Sequence, residues 1–91
     1  MSYSFSCKGA TKEEVLGLVN GQFDQVEQNQ PVHAADMPAA RDAVAAFVNL
    51  LSDDDDCDTG VSVNGWVSTV DGVVKQVGFN ITAGLNPPRG A

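Results

Sequence analysis

Val61-Ser62-Val63-Asn64-Gly65-Trp66-Val67-Ser68-Thr69-Val70-Asp71-Gly72, followed by VVKQVGFNITAGL from Val73 to Leu85, decides the fold. Val61, Val63, Val67 and Thr69 alternate with Ser62, Asn64, Trp66 and Ser68. Val77, Phe79, Ile81, Ala83 and Leu85 alternate with Gly78, Asn80, Thr82 and Gly84. A period of two marks strands with one buried face. Val70-Asp71-Gly72 supplies the turn between them. A strict two-residue turn at Asp71-Gly72 would set Val67 opposite Gln76 and mismatch the faces. A three-residue loop with Gly72 left-handed instead pairs Val63 with Phe79 and Val61 with Ile81, and this register is expected. Asn64-Gly65 is a competing turn, but it would leave very short strands on either side.

Upstream, Tyr3, Phe5 and Cys7 alternate with Ser2, Ser4 and Ser6, a further half-buried strand ended by Gly9-Ala10. Thr11-Lys12-Glu13-Glu14 is a capping box, with the Thr11 hydroxyl placed to accept from the Glu14 amide. Val15, Leu16, Leu18, Val19, Phe23 and Val26 form the apolar stripe of the helix it opens. Gly17 and Gly21 weaken that helix and offer room for a neighbouring backbone. Gln30-Pro31 stops it. Asp36 is placed to cap a second helix with Pro38 in its first turn. Ala40, Val44, Phe47, Leu50 and Leu51 make its apolar stripe, and Ala39, Ala43, Ala45 and Ala46 favour close helix packing.

The chain therefore reads as an α+β domain of order β-α-α-β-β. A three-stranded, mainly antiparallel sheet carries a helical hairpin on one face. Residues 1–85 form the domain and 86–91, rich in proline, a flexible tail. The first strand runs antiparallel beside the second, or parallel beside the third.

Ninety-one residues make one thin-cored domain, and 43% hydrophobic residues is ordinary for a globular protein. There is no run of apolar residues long enough to span a bilayer, and the opening MSYSFSCKGA lacks the pattern of a signal peptide. The expected location is the cytoplasm. The net charge is -7, and five of the twelve acids stand in Asp53-Asp54-Asp55-Asp56-Cys57-Asp58. Such acidity opposes direct nucleic-acid binding, which needs cations to displace counterions, and Lys8, Lys12, Arg41, Lys75 and Arg89 are too scattered for a groove. Cys7 reads as core. Cys57, among aspartates, is expected to have a raised thiol pKa and to be a poor nucleophile.

The aspartate run has three readings. As a calcium loop counted from Asp54, it would need glycine and glutamate where Thr59 and Gly65 stand, so the motif fails. As a connector, it breaks the second helix, opposes its dipole and guards a small sheet's edge. As a docking loop, its carboxylates attract a basic partner or mimic phosphates. Trp66, on the polar face with Asn64, Ser68 and Asn80, is either scattered exposure or the anchor of an interface, including one between two stacked copies. His33 reads as a loop or capping residue. No nucleophile, base and orienting acid assemble, no phosphate loop is present, and no cofactor or metal is expected.

The opening Ser2-Tyr3-Ser4-Phe5-Ser6, the connector Gln30-Pro31-Val32-His33-Ala34-Ala35-Asp36 and the hairpin segment Val61-Ser62-Val63-Asn64-Gly65 carry a resemblance that covers nearly the whole chain. The layout resembles small uncharacterised acidic accessory proteins of tailed bacteriophages and prophages. The resemblance implies action in the bacterial host cytoplasm and transfers no activity and no site residues. The expected function is non-enzymatic binding of a basic-surfaced host protein through Asp53, Asp54, Asp55, Asp56, Asp58 and Trp66, to inhibit a defence or nucleic-acid-handling system. The alternatives are a self-associating structural or virion-associated protein, a homodimer in its simplest form, and a sponge for a signalling nucleotide built on Arg41 or Lys75.

Overall fold

The computed structural model describes residues 1–53 and 56–86. The observed order is β1 (Ser2–Gly9), α1 (Lys12–Asn29), a 3-10 turn (Pro31–Ala35), α2 (Met37–Leu50), β2 (Asp58–Val70) and β3 (Val73–Asn86). The three strands form one antiparallel sheet of order β1-β2-β3, which settles the place of the first strand. Strand β3 runs one residue beyond Leu85. The rest of the expected tail, residues 87–91, lies outside the described residues.

Helix α1 starts as its sequence dictates. Thr11 is extended (φ -132), its hydroxyl accepts from the Glu14 amide at 3.1 Å, and Glu13 and Glu14 sit at the positive end of the helix dipole. Gln30 leaves helical geometry before Pro31 while its amide still donates to the Val26 carbonyl at 2.8 Å. Val15, Val19 and Phe23 are buried, whereas Leu18 faces solvent. No neighbour lies near the missing side chains of Gly17 and Gly21, so these glycines do not admit a close backbone approach.

In α2 the buried stripe is Met37, Ala40, Val44 and Val48. Phe47 and Leu50, expected in the core, are exposed, because both faces of this helix are apolar and only one meets the sheet. Ala39 and Ala46 are also exposed. Asp36 occupies the cap position but makes no side-chain cap bond.

The hairpin register differs from the expected one. Asp71 (φ 54) and Gly72 (φ 79) form a two-residue turn in which both residues have positive φ, as a type I′ hairpin requires. Val70 pairs with Val73 and Thr69 with Val74. Lys75 then bulges out, so Ser68 pairs with Gln76 and Val67 with Val77. The bulge corrects the mismatch that made the two-residue turn look unsuitable. It sets Val63 opposite Ile81 and Val61 opposite Ala83.

The core lies between the helices and the inner sheet face, built by Tyr3, Val61 and Val63 with Val15, Val19, Phe23, Met37, Ala40, Val44 and Val48. Strand β1 ends opposite Trp66, and Met1 adds one further exchange of hydrogen bonds with Val67. Beyond Val67 the ladder has only β2 and β3. This two-stranded arm gives the molecule extents of 52 × 21 × 18 Å. The radius of gyration is 14.5 Å, against roughly 12 Å for a compact chain of this length.

Candidate functional site

The acidic run joins the end of α2 to the start of β2. There the last turn of α2 lies beside the first turn of α1, since the Lys12 ammonium donates to the Leu51 carbonyl at 2.6 Å. The same ammonium pairs with Asp53 at 3.0 Å, and Lys8 pairs with Asp58 at 3.5 Å. The sequence had set these acids against the negative end of α2. The fold offsets that repulsion with two lysines and the positive end of α1. Exposed pairs of this kind contribute only about 0–1 kcal/mol each. The Asp53 side chain remains 94% exposed, and Asp56 is also exposed. Asp54 and Asp55 lie outside the described residues. A shallow groove of about 230 Å³ opens here, with Glu13, Ser52, Asp53 and Thr59 in its wall.

Trp66 stands elsewhere. It pairs with Gly78 on the outer sheet face, and its indole occupies the space where a Gly78 side chain would project. An aromatic ring lying over a cross-strand glycine packs the sheet as well as facing solvent. Eight residues of extended β2 separate Asp58 from Trp66, roughly 26 Å at strand spacing. The outer face between them is small and polar, with Ser6 and Ser62 hydroxyls 3.1 Å apart. The aspartates and Trp66 therefore do not form one compact patch. A single partner reaching both must lie along the whole outer face.

Arg41 is held by α1. Its NH1 donates to Asn20 Oδ1 at 3.0 Å, and its NH2 donates to Asp24 at 2.7 Å and Glu27 at 3.2 Å. Burial works against its charge, but these two carboxylates outweigh it and raise the pKa. A nucleotide phosphate would have to compete with both.

A buried polar cluster went unread in the sequence. His33, expected in a loop or cap, is fully buried. Its ring meets the Tyr3 ring edge-on at 4.8 Å. Its Nε2 lies 2.7 Å from Gln30 Oε1, an acceptor, so Nε2 carries the proton and Nδ1 is a bare acceptor. Nδ1, the Tyr3 hydroxyl and both Asp36 carboxylate oxygens are buried without hydrogen-bond partners among the described residues. Desolvation, with a smaller push from Asp36, raises the Tyr3 pKa to about 12. Burial also lowers the His33 pKa below 6.5. Asp36 opposes that shift and the Met1 amino group adds to it.

An expected outcome follows for pH. Below its ordinary pKa the unfolded chain protonates His33 more readily than the folded one, so acid favours unfolding. This contribution is complete above about pH 6.5 and is lost as pH falls toward the folded value. The imidazole resonances should titrate with a midpoint below 6.5, and the melting temperature should fall across the same window. A midpoint at or above 6.5 would refute the burial of a neutral ring.

Among the described residues no group of three or more His, Cys, Asp or Glu side chains converges as a metal site would require. No helix among them is long and apolar enough to cross a membrane. Comparison with protein-family models, curated proteins and solved structures returned no match.

Proposed function

We propose that this chain is a non-enzymatic bacteriophage accessory protein that binds a basic surface on a host protein in the bacterial cytoplasm, inhibiting a defence or nucleic-acid-handling system. The observation that supports this reading is the concentration of acids at one end of the sheet. Asp53 shares a groove wall with Glu13, and Asp56 and Asp58 follow it into β2, with Lys12 paired to Asp53 and Lys8 to Asp58. Clustered exposed carboxylates speed encounter with a cationic partner.

The test is capture from bacterial lysate with wild type and with a variant carrying asparagine at 53–56 and 58, at low and high salt. The captured protein's affinity is then measured for both. Neutralisation is expected to weaken binding at least tenfold at low salt, about 1.4 kcal/mol, and to flatten its salt dependence. An affinity unchanged by neutralisation would sink the proposal. Trp66→Ala shows whether the contact extends along the outer face.

A further inference from the structure

Strand β3 is an open edge of 14 residues, with β2 on one side and, among the described residues, no strand on the other. Natural edges are blunted by charges, prolines or bulges. Here the one bulge and the one charge, Lys75, sit near the turn, and Gln76 to Asn86 carry no charge at all. On a chain of net charge -7, this strip would set no like charges face to face between two copies. The other edge, β1, is shorter, carries Lys8 and lies under α1 with its Glu13, Glu14, Asp24 and Glu27.

Two apolar features lie on β3 at opposite ends. Toward the turn, β3 exposes Val77 (49%) at the base of the arm and Val74 (45%) beyond it on the helix-facing side, with Val73 (54%) on the outer face. Two-stranded ribbons of this kind are marginal in water without something to pack against. Toward the other end, α2 overhangs the strand with Phe47 (44% exposed) and Leu50 (81% exposed). Together with Ile81 and Ala83 these border an apolar groove of about 350 Å³. One chain cannot bring its own arm to its own groove, because both belong to the same extended strand.

We propose that a second copy of this chain pairs antiparallel along β3, giving a six-stranded sheet in which Val77, at the base of each arm, fills the other copy's groove. Antiparallel self-pairing lays the turn end of one β3 against the far end of the other. With the two-fold axis near Asn80, Val77 of each copy falls opposite Ala83 of the other and Phe79 opposite Ile81. Val77, Phe79, Ile81 and Ala83 share the helix-facing side of the strand, so this register joins inner face to inner face. Val77 then comes beside Leu50 of the other copy. The contact is isologous, so the same strip serves both partners and the assembly closes at two. It stands apart from the acidic end, and either proposal survives the failure of the other.

The experiment is sedimentation equilibrium on wild type, Leu50→Glu, Val77→Lys and an equimolar mixture of the two variants, at concentrations bracketing roughly 10 µM. Both positions are solvent-exposed in the single chain, so far-UV circular dichroism and the monomer's melting should stay unchanged. Wild type is expected to be a dimer, and each variant to weaken it at least tenfold. The mixture should regain a heterodimer, because the new lysine faces the new glutamate across the seam. A monomeric wild type overturns the proposal, as does a dimer indifferent to both substitutions. A mixture that behaves as its separate components overturns the arm-to-groove register.

Discussion

Phe23→Ala is expected to lower the melting temperature by roughly 15 °C or more, enough to leave much of the population unfolded at growth temperature. Phe23 is fully buried at the centre of the layer between α1 and the sheet. Its ring meets Phe5 edge-on at 5.1 Å and Tyr3 at 6.3 Å, and the Arg41 guanidinium lies 5.3 Å from its centroid. Truncating a buried phenylalanine costs about 3–5 kcal/mol in transfer and cavity terms. The lost aromatic contacts fall within that cost. A domain of this length has only about 5–14 kcal/mol of stability in total. Leu18→Ala, on the exposed side of the same helix, serves as the control and should stay within about 0.5 kcal/mol of wild type. Thermal melts followed by near- and far-UV circular dichroism decide it. A fall below about 5 °C for Phe23→Ala would mean that the core lies elsewhere.

That core was legible because α1 and the strands obey strict periods. Val15, Val19 and Phe23 repeat at helical spacing, and Tyr3, Val61 and Val63 at strand spacing, so these core positions were assignable without coordinates, although Leu18, read into the same stripe, faces solvent. The α2 helix resisted this reading. Met37, Val44, Phe47, Val48 and Leu50 surround it, and period alone does not choose which side meets the sheet. The register resisted for a different reason. Counting from a turn assumes equal residues on both strands, and the bulged Lys75 breaks that count. Valine 74 beside Lys75-Gln76, where the alternation slips by one residue, was the available signal. Histidine 33 gave no signal, since a residue in a short 3-10 turn belongs to no period and its burial depends on where Tyr3 and α1 converge.

The candidate site divides in the same way. The aspartate run was plain in the sequence. Its attachment was not, because the Lys8–Asp58 and Lys12–Asp53 pairs join residues far apart along the chain. The separation of the run from Trp66 was implicit once both were placed on or beside one extended strand, at roughly 3.3 Å per residue. Phe47 and Leu50 looked like core in the sequence. In the fold they line a groove beside β3 with Ile81 and Ala83.

Gly65→Ala is expected to destabilise the fold by at least about 2 kcal/mol, although the same exchange at Gly17 should be helpful. Gly65 pairs with Tyr3 across the β1–β2 ladder, and a β-carbon built there falls 2.5 Å from two ring carbons and the hydroxyl oxygen of the tyrosine. A free side chain would swing aside. Tyr3 cannot, because His33, Phe23 and Phe5 pack around its ring and only 8% of it is exposed. The added methyl must therefore displace packed rings or part the two strands. Gly78→Ala makes an equally close approach, 2.4 Å from the Trp66 ring, but on the outer face where the indole is only partly buried, so its cost should be smaller. Gly17→Ala, in the exposed middle of α1 with nothing near it, should stabilise by about 0.5–1 kcal/mol through helix propensity. Denaturant midpoints should thus rise for Gly17→Ala, fall slightly for Gly78→Ala and fall steeply for Gly65→Ala. Pairing Gly65→Ala with Tyr3→Leu should return part of the loss relative to the sum of the single changes, since removing the ring's outer atoms removes the clash. Strict additivity of the two would show that glycine is needed at this position for its backbone and not for the tyrosine that lies over it.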